Sequence, residues 1–307
     1  MTNLSGAAVP ENTGRGILLA LAATLVFSTQ DATSKFLVAS VSPFQMTMMR
    51  FWAFAAFSLI LVLRQGPVRE AFRSRQPIAQ ALRGLLLLAD IWMYMLALRT
   101  VHLDEVQAIT LIYPLLVTLA AIPILGERVG IFRISAVVVG FIGALVIVRP
   151  GGVPLDWGVA FAVGSGACYA LYIVLTRKVS ATDSATTSMF YVGAVGLVVS
   201  SAVGIFFWQP LDLQSGLLIG YIMLTGVVAH GMMILALSMA PASMLQPFNY
   251  TSLPWAILLS YFLFHHLIDP WSLLGAAIIV GAGLVVMARE RMRKVPAKVE
   301  PALPGKE

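Results

Sequence analysis

The chain has 307 residues, 59% of them hydrophobic and only 11% charged, with a mean hydropathy of +0.88 and a formal net charge of +6. A water-soluble domain carries roughly 25% charged residues and could not bury this much apolar surface at this length. Composition therefore excludes an ordinary soluble enzyme or binding module and requires lipid as the solvent.

Ten stretches approach the ~20 apolar residues a helix needs to cross a bilayer. In chain order they are residues 16–37, 44–64, 78–98, 103–124, 131–149, 157–177, 186–208, 215–237, 242–264 and 270–288. A segment 1–15 precedes them and a basic tail, 289–307, follows. The first stretch carries Gln30, Asp31 and Lys35 and lacks a small-residue cleavage site, so it reads as a span and not as a signal peptide. Linkers are short and punctuated by Gly66-Pro67, Arg149-Pro150-Gly151-Gly152, Gln209-Pro210, Pro241 and Asp269-Pro270. The runs do not alternate as barrel strands would. The single Cys168 lies mid-span and leaves no intrachain disulfide. An all-α polytopic membrane protein of ten transmembrane helices is expected.

With the N-terminus inside, sixteen of the 20 Lys and Arg residues fall on the inner side; Lys35, Arg50, Arg99 and Arg149 do not. The positive-inside rule then places both termini in the cytoplasm, in a bacterial inner membrane. This bias accounts for the net charge, and no nucleic-acid partner is expected.

The two parts of the chain resemble each other. Residues 16–36 lie over 158–178 at an offset of 142, and farther on the offset is 139, where Leu98 meets Leu237 and Gln107 meets Gln246. Five spans per half, an odd number, make the halves inverted, so the expected units are two inverted five-helix repeats, 16–149 and 157–288. The turn Gly126-Glu127-Arg128 and the run Gly140-Phe141-Ile142-Gly143-Ala144-Leu145-Val146 resemble the drug/metabolite transporter superfamily, EamA-type. Asp31-Ala32-Thr33-Ser34-Lys35-Phe36, Arg50-Phe51 and Leu82-Arg83-Gly84-Leu85-Leu86 are similar to a subgroup holding bacterial S-adenosylmethionine and riboflavin transporters. The resemblance implies a carrier with no cofactor. The second half departs from it with His265-His266 where the first has Gly126-Glu127.

Ionisable residues at bilayer depth are costly enough to require a reason. From the span ends, Asp31, Arg50 and Asp90 lie ~18–22 Å from the inner side, in one slab. They are candidates for a gate or for coupling to protons, although Asp31 could pair with Lys35 one turn on, and Arg50 with Asp90. Arg83 sits near the inner end and is expected to snorkel. A neutral set, Tyr169, Tyr172, His230, Gln246 and Asn249, lies nearer the inner side. Together with Trp92, Tyr94 and Gln107 these are the candidate substrate contacts, in a cavity walled by spans 1, 3, 4, 6, 8 and 9. Trp157, Trp208 and Trp271 read as interface anchors, Pro114 and Pro254 as bends, and Gly216/Gly220, Gly140/Gly143 and Gly281/Gly283 as close-packing faces.

Walker A and H-E-x-x-H motifs are absent, and no metal site is expected. Gly164-Ser165-Gly166 with His230 leaves an intramembrane serine protease as an alternative, and a non-catalytic scaffold as another. The leading expectation is a secondary carrier for a small polar or aromatic metabolite, monomeric or homodimeric. Its substrate is expected to be riboflavin-like, with S-adenosylmethionine or an amino acid as alternatives.

Overall fold

The computed structural model describes residues 13–126, 130–148, 156–240 and 245–294, all of them helix, 3-10 turn or loop. In order come α1 (Thr13–Leu37), α2 (Pro43–Gln65), the short α3 (Val68–Ala71), α4 (Pro77–Ala97), α5 (Leu103–Thr110), α6 (Tyr113–Leu125) and α7 (Ile131–Ile147). Then follow α8 (Trp157–Ser180), α9 (Ala185–Gly204), α10 (Leu213–Met239), a 3-10 segment (Gln246–Thr251), α11 (Ser252–Phe264) and α12 (Pro270–Lys294).

Among the described residues, eight helical stretches are long and apolar enough to span a membrane, one of them formed by α5 and α6 together. The expected fifth and ninth spans hold the shorter α7 and α11. Large apolar side chains cover the outside: Ile78, Leu213 and Phe206 are at least 80% exposed. In water such a surface would drive aggregation; in lipid it is the solvated face. Within α1, Thr24, Ser28, Thr33 and Ser34 each donate to the carbonyl four residues back, which satisfies these hydroxyls within the helix.

Local chemistry sets the helix starts. Asp156 accepts from the amides of Gly158 and Val159, Ser184 from Thr187 and Asp212 from Ser215, each satisfying an orphan first-turn donor. Ends are set likewise: Gly126 stops α6 in the left-handed conformation at φ 68°, and His265 stops α11 there at φ 52°. The starts of α6 and α11, and these two caps, are each offset by 139 residues.

The expected fourth span is broken at Leu111-Ile112, between α5 and α6, and the expected ninth begins as a 3-10 segment before α11. Pro114 opens α6 and Pro254 lies in the first turn of α11, where a missing N–H costs no intrahelical bond. Packing pairs α1 with α10, α4 with α8, α2 with α9, and α7 with α12. Exchanging the five expected spans of the first half for the five of the second turns each pair into another pair, or into itself.

Several glycines behave differently from expectation. A methyl on Gly140 or Gly143 would collide with Leu115 or the Gly275 carbonyl, and one on Gly283 with Tyr250. At Gly216, Gly220 and Gly281 no described residue would come within 4 Å of an added methyl, so these positions are not close-packed. Trp157, Trp208 and Trp271 are at least half exposed.

Candidate functional site

A cavity of about 530 Å³ lies between α1, α2, α4, α5, α6, α8, α10 and the 3-10 segment. It reaches from Ser34 and Gln107 at one end to Thr176, Met233 and Leu245 at the other. Asp31, Arg50, Asp90, Tyr94, Gln107, Tyr169, Tyr172, His230 and Asn249 all line it. The expected outer charge layer and inner neutral layer therefore share one wall, and α2 joins that wall through Arg50, Phe51 and Phe54.

Arg50 is close enough to both Asp31 and Asp90 for its charge to act on each. Asp90 Oδ1 accepts a 2.6 Å hydrogen bond from the Ser165 hydroxyl. That proton is thus committed to a carboxylate, and no hydrogen bond joins Ser165 to His230 as a protease dyad would need. The Tyr94 hydroxyl has two neighbours, the Asp31 carboxylate and Gln107 Oε1 at 3.1 Å. A phenol has one proton to donate, so Tyr94 can serve only one of them at a time. Gln107 Nε2 in turn donates to Ser252 Oγ at 2.9 Å, and Ser252 donates to the Asn249 carbonyl at 2.8 Å. A hydrogen-bonded line thus joins Tyr94, through Gln107, to the broken helix of the second half.

Aromatic rings form the rest of the wall. Tyr169 meets Tyr113 edge-on at 4.9 Å and stacks on Tyr172 at 5.8 Å. Tyr113 also hydrogen-bonds Asn249. His230 is wedged between Phe27 and Phe54, its Nδ1 2.7 Å from the Gly226 carbonyl.

Three expectations change, and a fourth falls outside the described residues. Trp92 does not line the cavity; it packs beside Phe51 and Leu88 and meets Phe44 edge-on at 5.3 Å. Lys35 makes no ion pair with Asp31, because its ammonium donates to the Leu98 and Val101 carbonyls at 2.6 and 2.8 Å. Arg83 does not snorkel: it is buried, donates to the Ser188 carbonyl and Thr176 Oγ1, and lies 5.4 Å above the Tyr172 ring. Gln246 starts the 3-10 segment, and its side chain lies outside the described residues. Sequence reasoning missed Phe27, Phe54 and Ser252 as wall residues, and Ser165 as the partner of Asp90. The repeat offset of 139 carries Tyr113 onto Ser252 and could have flagged that position.

Comparison with known proteins gives a consistent answer. The EamA-like transporter family profile matches residues 14–149 and again 156–288. An S-adenosylmethionine uptake transporter of Rickettsia prowazekii is 25% identical over 277 residues, covering 90% of this chain and 93% of that protein. A riboflavin transporter of Rhizobium johnstonii is 26% identical over 305 residues, covering 96% and 98%. A riboflavin transporter of Vibrio cholerae is 28% identical over 272 residues, covering 87% and 90%. A crystal structure superposes with a TM-score of 0.62 at 19% identity, over 92% of this chain and 99% of that one, and so shares the fold.

Proposed function

The chain belongs to the EamA-like transporter family, a multi-pass membrane transporter and not an enzyme, and from that premise we propose a secondary carrier working by alternating access. Ten spans in two inverted halves support this reading. The 3-10 segment with α11 reaches about 30 Å, enough for a ninth crossing. The packing pairs and the 139-residue offset between element boundaries fit a pseudo-twofold axis in the membrane plane. The basic-residue count supports cytoplasmic termini in a bacterial inner membrane.

One observation carries the substrate reading: two carboxylates, one guanidinium and a tyrosine group face the same cavity. Fully ionised, Asp31, Asp90 and Arg50 leave one negative charge in excess. An uncompensated charge at that depth is expensive, so the cavity favours a ligand that brings a positive charge, or a proton in its place. The tyrosines offer flat faces for a ring system. An aromatic zwitterion or cation of the S-adenosylmethionine kind satisfies both requirements. A riboflavin-like substrate is the second reading, favoured by the Tyr113–Tyr169–Tyr172 group and the Gln107 and Asn249 amides, which suit a flat, uncharged polar molecule.

Uptake of labelled S-adenosylmethionine, riboflavin and amino acids into proteoliposomes, with and without a pH gradient, tests this. We expect saturable S-adenosylmethionine uptake that excess riboflavin inhibits weakly. Riboflavin uptake insensitive to S-adenosylmethionine would reverse the order, and no uptake of any of the three would remove both.

A further inference from the structure

Beyond the Ser34 and Gln107 end of the cavity, Leu37, Leu98, Val101 and Leu103 are at most 3% exposed, and among them lies a polar group that the substrate reading does not use. Asp104, in the first turn of α5, is fully buried. Its Oδ1 accepts from the Ser260 hydroxyl of α11 at 2.7 Å and lies 3.2 Å from His266 Nδ1, in the turn after α11. Its Oδ2 has no hydrogen-bond partner. The His266 ring lies flat on that of His102, the residue capping α5, with centroids 3.6 Å apart and planes within 6°. Every one of these contacts joins the first half of the chain to the second.

His266 is placed by the left-handed cap at His265, the position that Gly126 takes in the first half. The turn that departs from the family pattern is thus the one that brings an imidazole to a buried carboxylate. Lys35 reaches across from α1 and ties down the Leu98 and Val101 carbonyls beside it.

We propose that Asp104, Ser260, His266 and His102 form a latch that holds this end shut and that acid tightens. The proposal rests on the alternating-access reading, in which this end must open once per cycle. A proton on His266 turns its hydrogen bond to the Asp104 carboxylate into an ion pair. The charged and titratable neighbours are Lys35 from α1, His102 and Glu105 from α5, and Asp269 ahead of α12. Burial, then the His266 ring and the Lys35 charge, hold His102 below its usual range. The His266 side chain is 22% exposed.

The test uses the full chain with Cys168→Ser and Ser34→Cys, which puts a single thiol on the cavity wall just inside the closed end. In proteoliposomes, a membrane-impermeant maleimide is added to each face in turn between about pH 5.5 and 8. Each rate is divided by that of the same thiol in unfolded protein at the same pH. From the latched face, normalised labelling should slow about fivefold toward acid, and His266→Ala or Asp104→Asn should speed it about tenfold. His266→Gln keeps a donor but cannot titrate, so it should remove the pH dependence with a smaller gain in rate. Rates unmoved by His266→Ala and Asp104→Asn would overturn the latch, as would a pH dependence that survives His266→Gln. Uptake in the same vesicles separates the two readings. A chain that moves no substrate yet still labels according to pH loses the carrier reading and keeps the latch; uptake with flat labelling does the reverse.

Discussion

Two polar groups in this protein are built from similar materials and arranged oppositely. Asp31, Arg50 and Asp90 face an open cavity with one carboxylate more than the guanidinium can balance. Asp104, His266 and Ser260 are packed against one another, with the carboxylate wholly out of solvent. Charge facing space is available to a ligand, while charge facing the other half of the chain is a hold on conformation. The difference is in what surrounds the carboxylate.

The comparison would break first at Arg50. Arg50→Gln strands two carboxylates, and uptake should fall at least ~100-fold, with Asp31→Asn on the same chain restoring part of it. Asp90→Asn keeps an acceptor for Ser165 but removes the charge, so a loss of about tenfold is expected. Initial rates of uptake decide both, and activity within about twofold of the parent in Arg50→Gln would mean that the central charges are structural.

Stacking should count for less than charge. Tyr169→Ala removes the ring shared by Tyr113 and Tyr172 and should raise the half-saturating substrate concentration about fivefold with little change in maximal rate. An unchanged concentration dependence would take the tyrosines out of the substrate contact.

A third carboxylate, outside the spans, supplies the smallest effect and a control. Asp183, between α8 and α9, accepts from Ser74, Gln80 and the Arg75 amide. Partial burial pushes its carboxyl upward, but these donors outweigh it and hold the group below its ordinary value of 3.8. Its contribution to stability is therefore complete above that value and is lost as pH falls through and below it. Melting curves taken from about pH 5 down to about pH 3 should show an acid loss in the parent that is reduced in Asp183→Asn. Near neutrality the gap between the two is at its full size and does not change with pH.

Hydropathy reveals the spans because crossing lipid demands length and apolarity of each segment separately. Depth was legible too: counting rise per residue put Asp31, Arg50 and Asp90 in one slab, and all three line one cavity. Azimuth was less legible, although part of it was available. Asp90 and Tyr94 are four residues apart and share a face, whereas Trp92 lies two residues from each, about 200° round the helix, and points away. Gly216 and Gly220 have close-packing spacing but no helix close enough to use it. The Asp104–His266 contact joins residues 162 apart in the chain. It depends on how the start of one broken span meets the end of another, which no local pattern encodes. Its one trace in the sequence is His265-His266 at a position where the first half has Gly126-Glu127.

The seam between α7 and α12 has a further consequence. Gly143 meets the Gly275 carbonyl so closely that an added methyl would sit 2.7 Å from it, and Gly275 is as tight against the Gly143 carbonyl. By the 139-residue offset, their counterparts are Ala282 and Ala136, each only 8% exposed. Small residues thus recur at all four positions of a contact made between the same span of each half. In an oligomer this would be called an isologous interface, one surface meeting its own copy. Here the two copies lie on one polypeptide, so each half carries the complement the other needs, and a half expressed alone would present its small-residue seam to lipid with nothing to fill it.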